Sequence, residues 1–143
     1  MRLHEMTIED YDAVMRLLSA TSGVQLRDAD SREVTSRYLQ RNPGLSFVAF
    51  IDDHLVGCVM CGHDGRRGYL QHLAVSERFR RRGVGSALLE ACLAKLESHG
   101  ILKTHIDVLV GNEGAITYWT RRGWKKRDDI LRFSFVRNDN ANV

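Results

Sequence analysis

Proline is almost missing from this chain: Pro43 is the only one in 143 residues. With no low-complexity stretch either, no linker divides the sequence, and its length suits one domain of the usual ~100–150 residues. The reading places a single domain over residues 1–137 and a flexible tail over 138–143. Cysteine is scarce and odd in number, with only 3 residues, which excludes a disulfide framework and fits a reduced, cytoplasmic setting. No apolar run approaches the ~20 residues a membrane helix needs. The opening MRLHEMTIEDYD carries charge from its second residue and has no apolar centre, unlike a secretory signal. Excess charge is missing too: 21 Lys+Arg against 18 Asp+Glu leaves +3, too little to demand a polyanionic partner. What is present is an ordinary 43% of hydrophobic residues, which excludes disorder as the main state. A chain of this size buries roughly two-thirds of its unfolded surface around one core. The uneven feature is local. Arg78, Arg80, Arg81 and Arg82 put four arginines into five positions.

Periodicity gives the order of elements. Arg2–Met6 reads as a short strand, and Thr7, followed by Ile8, Glu9 and Asp10, caps a helix whose Val14, Leu17 and Leu18 form an apolar stripe. Thr21–Asp30 is a polar loop, and Asp30 with Glu33 resembles a capping box that opens a second helix, stopped at Asn42–Pro43–Gly44. Ser46–Ile51 and Leu55–Cys61 form a hairpin, and the glycine-bounded turn Gly62–Gly68 leads into a third strand of that run, Tyr69–Val75. Cys58 and Cys61 form a C-x-x-C, but they lie on a strand with side chains to opposite faces, so core packing is the reading and no metal is assigned. A helix covers about Gly83–His99 and ends at Gly100. Thr104–Val110 is a strand, Asn112 caps a helix that ends at Gly123, and Ile130–Val136 is a last strand. The order is that of a mixed α/β (α+β) sheet flanked by helices, neither a bundle nor a regular doubly wound fold.

The arginines sit where the strand ending at Val75 gives way to the helix starting near Gly83. Two glycines, Gly83 and Gly85, let backbone N–H groups approach a ligand closely. N–H groups at a helix start are unpaired and lie at its positive end, so they make an anion site that suits a pyrophosphate. A Walker-type loop is excluded because Gly-Lys-Ser/Thr is missing, and a dinucleotide fingerprint because its third glycine would fall at Leu88. A basic patch for nucleic acid and a merely solvated turn are the competing readings. Against the first, the arginines are not spread along a face and have no interleaved aromatics.

Arg80-x-x-Gly83-x-Gly85 after an apolar strand resembles the acetyl-CoA motif of the GNAT superfamily of N-acetyltransferases. Asn112, Ala115 and Gly123-Trp124, after the strand His105–Val110, resemble the second block of that family. The resemblance covers nearly the whole chain. It implies a mostly antiparallel twisted sheet of roughly six to seven strands with about four helices, its central strands splayed to form the CoA groove. It also implies direct transfer of an acetyl group from acetyl-CoA to a primary amine of a small molecule or protein, without metal or nucleic acid, and leaves a homodimer open. Two other functions compete: a non-catalytic acyl-CoA sensor, and a small nucleic-acid module using the arginines. By resemblance, backbone groups of Arg81, Arg82, Gly83, Val84, Gly85 and Ser86 hold the pyrophosphate, with Arg80 opening the motif. Leu73, Ala74 and Val75 bind pantetheine and polarise the thioester carbonyl, and Asn112 touches the CoA arm.

The family often places a tyrosine seven residues after the asparagine, as the acid for the departing thiolate; here that position is Trp119. An indole N–H donates a hydrogen bond but supplies no proton near neutral pH. Trp119 is therefore read as packing along the CoA arm, and Tyr118, about 100° round the helix, as a secondary candidate acid. Asp107, between Ile106 and Val108, stands mid-strand where some protein-alanine acetyltransferases of the family carry a glutamate base; binding a substrate ammonium is the competing role. Tyr69 and Gln71 are on the face the family turns to the acceptor, and Arg27, with Asp28 and Asp30, lies in the loop that builds the acceptor pocket. His72 titrates nearest neutrality, but strict alternation turns it away from Gln71 and Leu73.

Overall fold

The computed structural model describes residues 1–143 as two compact units, Met1–Asp107 and Val108–Val143. The first holds β1 (Arg2–Glu5), α1 (Tyr11–Ser19), α2 (Arg32–Arg41), β2 (Phe47–Ile51), β3 (His54–His63), β4 (Gly68–Val75), α3 (Val84–Ser98) and β5 (Thr104–Ile106). The strands lie side by side in chain order; every neighbouring pair is antiparallel except β4 and β5, which run parallel across the α3 crossover. The sheet is thus mixed and mostly antiparallel, with five strands where roughly six to seven were anticipated.

Local chemistry sets the helix starts. Thr7 caps a single 3-10 turn, Ile8–Asp10, in a reciprocal box in which Thr7 N donates to Asp10 Oδ2 at 2.9 Å, and α1 follows directly. α2 is capped by Ser31, whose Oγ accepts from Val34 N at 3.2 Å. Asp30, the anticipated cap, instead closes its own 3-10 turn by accepting from Arg27 N through Oδ2 at 2.8 Å. Its other oxygen is therefore available for a distant partner.

β3 is buried along nearly its whole length because helices cover both faces. Cys58 and Met60 pack with Val14, Leu17 and Leu18 of α1. On the other face Gly57 meets α3 so closely that an added Cβ would lie 2.8 Å from Val84 and 2.9 Å from Leu88. Cys61, of the same parity as Gly57, lies near the α3 residue Cys92, whose thiol donates to the Leu45 carbonyl at 3.3 Å. The two faces of the C-x-x-C thus serve two cores, as the strand reading required, and all three thiols are free and buried.

The second unit contains α4 (Glu113–Arg121). Asn112 Oδ1 accepts from Ala115 N at 3.2 Å to cap it, and Gly123, at φ +84°, ends it. Two anticipated strands need correction. The strand expected over Thr104–Val110 stops at Ile106, so Asp107 stands just past its end instead of in its middle. Ile130–Val136 is not a strand. Its apolar residues alternate as a half-buried strand should, but it forms no ladder with another strand. Leu131, Phe133 and Phe135 therefore stay 84%, 89% and 80% exposed.

Candidate active site

Three features of the first unit converge on the end of β4. The first is a splay. β4 pairs with β5 only through Gly68–Leu70, opposite Thr104–Ile106, so from Gln71 to Val75 its edge on that side has no strand partner. Leu73, Ala74 and Val75 fall in this stretch, as the resemblance implied.

The second is a bulge. Met60 pairs with Gln71 and Cys58 with Ala74, so β4 carries one residue more than β3 between those pairs. His72 absorbs it at φ +53°, a left-handed conformation that costs a residue with a Cβ roughly 1–2 kcal/mol. The Cys58 thiol, kept neutral because burial raises its pKa to about 12, donates to the His72 carbonyl at 3.4 Å. In a planar trans peptide the N–H of Leu73 then points the opposite way, away from Cys58.

The third is the turn into α3. A 3-10 turn, Glu77–Phe79, leads to Arg81 at φ +64° and Gly83 at φ +82°. Arg80 Nε donates to the Val75 carbonyl at 3.2 Å and fastens the turn to the strand end. Arg78 and Arg82 bracket the Phe79 ring, their guanidinium carbons 5.9 and 5.2 Å from its centroid. Gly83 is the N-cap of α3 and has no side chain to satisfy the N–H groups of Val84 and Gly85; the first turn holds no acidic residue. A helix of 15 residues thus presents its positive end beside four arginines.

The bulge also relocates His72. Directly opposed residues of an antiparallel pair share a face, so Tyr69, Gln71 and Ala74 lie on the α1 face with Met60 and Cys58. Strict alternation sent His72 to the other face. The extra residue brings it to this one, where its Nε2 lies 2.7 Å from Asp30 Oδ1, both side chains mostly buried at 17% and 15% exposure. Asp30 is held in turn: its carbonyl accepts from Tyr11 Oη at 2.6 Å, and its Oδ2 from Arg27 N. Sequence reasoning placed Asp30 in the acceptor loop, turned His72 away, and did not join the two. The signal it lacked was the bulge, which has no local sequence mark.

The other anticipated residues fall as follows. Tyr69 and Gln71 are exposed on the α1 face, and the Tyr69 ring lies 5.7 Å from that of its register partner His105. Arg27 is exposed, its Nη2 3.3 Å from Gln25 Oε1. Asp107 is exposed, just past the end of β5. In the second unit Trp119 stacks on Trp124 at 4.6 Å, Tyr118 lies under the Arg122 guanidinium, and the Tyr118 hydroxyl is buried without a hydrogen-bond partner. The polar turn between β3 and β4 satisfies itself: Asp64 Oδ1 accepts from Arg66 N and Arg67 N, bonds that lower its pKa. No helix is long and apolar enough to cross a membrane.

Comparison with known proteins shows the family. The acetyltransferase (GNAT) family matches residues 11–124. An acetyltransferase of Pectobacterium atrosepticum is 30% identical over 122 residues, covering 85% of this chain and 86% of that one. N-alpha-acetyltransferase 30 of Schizosaccharomyces pombe is 29% identical over 119 residues, covering 76% and 79%. Among solved structures, the PaiA N-acetyltransferase of Thermoplasma acidophilum in complex with coenzyme A superposes with a TM-score of 0.76 at 19% identity, covering 89% of this chain and 91% of that one. The chain belongs to the GNAT family of acetyltransferases, and its reaction is the transfer of an acetyl group to an amine.

Proposed function

We propose that the acetyl donor is acetyl-CoA, with its pyrophosphate on the backbone N–H groups from Arg81 to Ser86. The observation that carries this is the open start of α3: two left-handed residues, no capping side chain, no acid in the first turn, and four arginines around it. The pantetheine arm then follows the unpaired edge of Leu73–Val75, and the Leu73 N–H is the donor aimed at the thioester oxygen, where charge develops as the carbonyl is attacked. Arg80 acts on this site through the strand, by holding the Val75 carbonyl. In the second unit the Asn112 oxygen caps α4, which leaves its amide NH2 to donate to a ligand.

The acceptor is a primary amine that approaches over Tyr69 and Gln71, with Arg27 in the adjoining loop. Asp107, exposed beyond β5, suits attraction of a cationic amine better than proton abstraction. The similarity to N-alpha-acetyltransferase 30 of Schizosaccharomyces pombe supports a free peptide α-amine as the first acceptor to try. The family match crosses from one compact unit into the other, which supports a single catalytic domain over residues 1–137. A cytoplasmic site of action agrees with three reduced cysteines.

Calorimetry with acetyl-CoA and with acetyl-pantetheine, which lacks the pyrophosphate, tests the donor assignment. Acetyl-CoA is expected to bind at least tenfold more tightly. Equal affinity for the two would place the recognition elsewhere.

A further inference from the structure

We infer that His72, fixed by Asp30, is the group that takes the proton from the acceptor ammonium. The inference rests on the donor reading above and adds the residue that activates the acceptor.

The geometry assigns the two ring nitrogens different tasks. Nε2 lies 2.7 Å from an oxygen of Asp30, so it carries the hydrogen and donates it. A neutral imidazole then has its lone pair on Nδ1, the nitrogen nearer its own main chain. That main chain is the bulge, and the next residue supplies the Leu73 N–H proposed for the thioester oxygen. The base and the carbonyl-polarising donor are therefore consecutive residues. A left-handed histidine within a strand is a strained arrangement of the kind that a site, not a scaffold, retains. Asp30 is a positioning residue: Tyr11 Oη and Arg27 N hold its carbonyl and its second oxygen, so its free oxygen has one direction. Ser31 takes over the capping of α2, which leaves Asp30 to this task.

The step balances as follows. The acceptor R–NH3⁺ gives one proton to His72 Nδ1, forming an imidazolium whose Nε2–H faces the Asp30 carboxylate; that proton passes on to water. The freed amine lone pair forms the C–N bond as the thioester C=O π pair moves to oxygen, against the Leu73 N–H. Return of that pair breaks the C–S bond. The second nitrogen proton ends on the thiolate, giving the amide, the CoA thiol and one proton in solution.

Other titratable or charged groups around the pair are Tyr11 of α1, Asp28 on the Asp30 turn, Cys58 of β3, Tyr69 of β4, His105 of β5, and Arg32, whose guanidinium lies over the Tyr11 ring. Two measurements on the full chain decide the matter. In ¹⁵N NMR of the ligand-free protein above neutrality, His72 is expected as the Nε2–H form with a bare Nδ1, and Asp30→Asn is expected to mix the two tautomers. An Nδ1–H form, or an imidazolium that persists through pH 8, overturns the proposal. In turnover of acetyl-CoA with an alanine-initiated peptide, His72→Gln is expected to lower kcat about a hundredfold or more, the scale of lost general base catalysis, and to remove the acidic limb of the pH profile. Asp30→Asn is expected to lower kcat at least tenfold while KM for acetyl-CoA stays within twofold; a purely structural role would not mix the two tautomers. Calorimetry keeps the two readings apart. If His72→Gln binds acetyl-CoA as the wild type does and turns over within threefold of it, His72 is not the base and the donor reading stands. If the wild type binds no acetyl-CoA, the donor reading fails, while the tautomer still tests the base.

Discussion

α3 and α4 begin in opposite ways. α4 closes its own start: Asn112 caps it, and Glu113 places a negative charge in the first turn. α3 leaves its start open, with Gly83 at the cap and no acid after it. Ordinary helix stability favours the first arrangement, because a glycine cap forgoes roughly a few tenths of a kcal/mol relative to asparagine. A helix that gives this up beside four arginines is the place proposed above for the donor's anion. Two helices of one chain thus separate a start closed by its own side chains from a start left open.

Closing the open start breaks the contrast most severely. Gly83→Asp puts a carboxylate where the pyrophosphate is proposed to bind and is expected to weaken acetyl-CoA by about thirtyfold, from roughly 2 kcal/mol of lost anion attraction. Calorimetry reads this directly, and unchanged affinity would remove α3 from the site. Opening the closed start comes next. Asn112→Ala is expected to cost about 1 kcal/mol in urea unfolding, with Asn112→Asp recovering most of it; equal loss in both variants would mean that capping is not what Asn112 contributes. The smallest effect belongs to the rim. Arg82→Ala is expected to weaken acetyl-CoA less than about fivefold and to flatten its salt dependence, since exposed charges act at a distance that salt screens. A loss as large as that of Gly83→Asp would shift the weight of recognition from backbone to side chain.

Much of this was legible in the sequence. Helix starts and stops announce themselves locally, which is why Thr7, Asn112, Gly100 and Gly123 fall where their chemistry put them. The glycine–arginine turn was legible for the same reason. What failed was everything that depends on a partner far along the chain. Ile130–Val136 has the alternation of a strand, but alternation describes one edge and a ladder needs two. Asp107 lost its mid-strand setting because β5 ends early. Asp30 looked like a helix cap because nothing local showed that Ser31 would take that place. His72 was turned the wrong way by a rule that holds only for a regular strand. A single inserted residue reversed the face and brought an imidazole to a carboxylate 42 positions away.

The contact between Gly57 and α3 has a consequence of its own. A Cβ there would meet Val84 and Leu88 at under 3 Å, so the helix rests as near to the sheet as a backbone without a side chain allows. Val84 is the first residue of α3, and Gly57 pairs with Val75 at the end of β4. A hydrogen atom in place of a methyl group therefore sets the gap between the start of α3 and the end of β4, the two places where the proposed donor would be held. Enlarging residue 57 would push Val84, and with it the whole start of α3, away from the sheet.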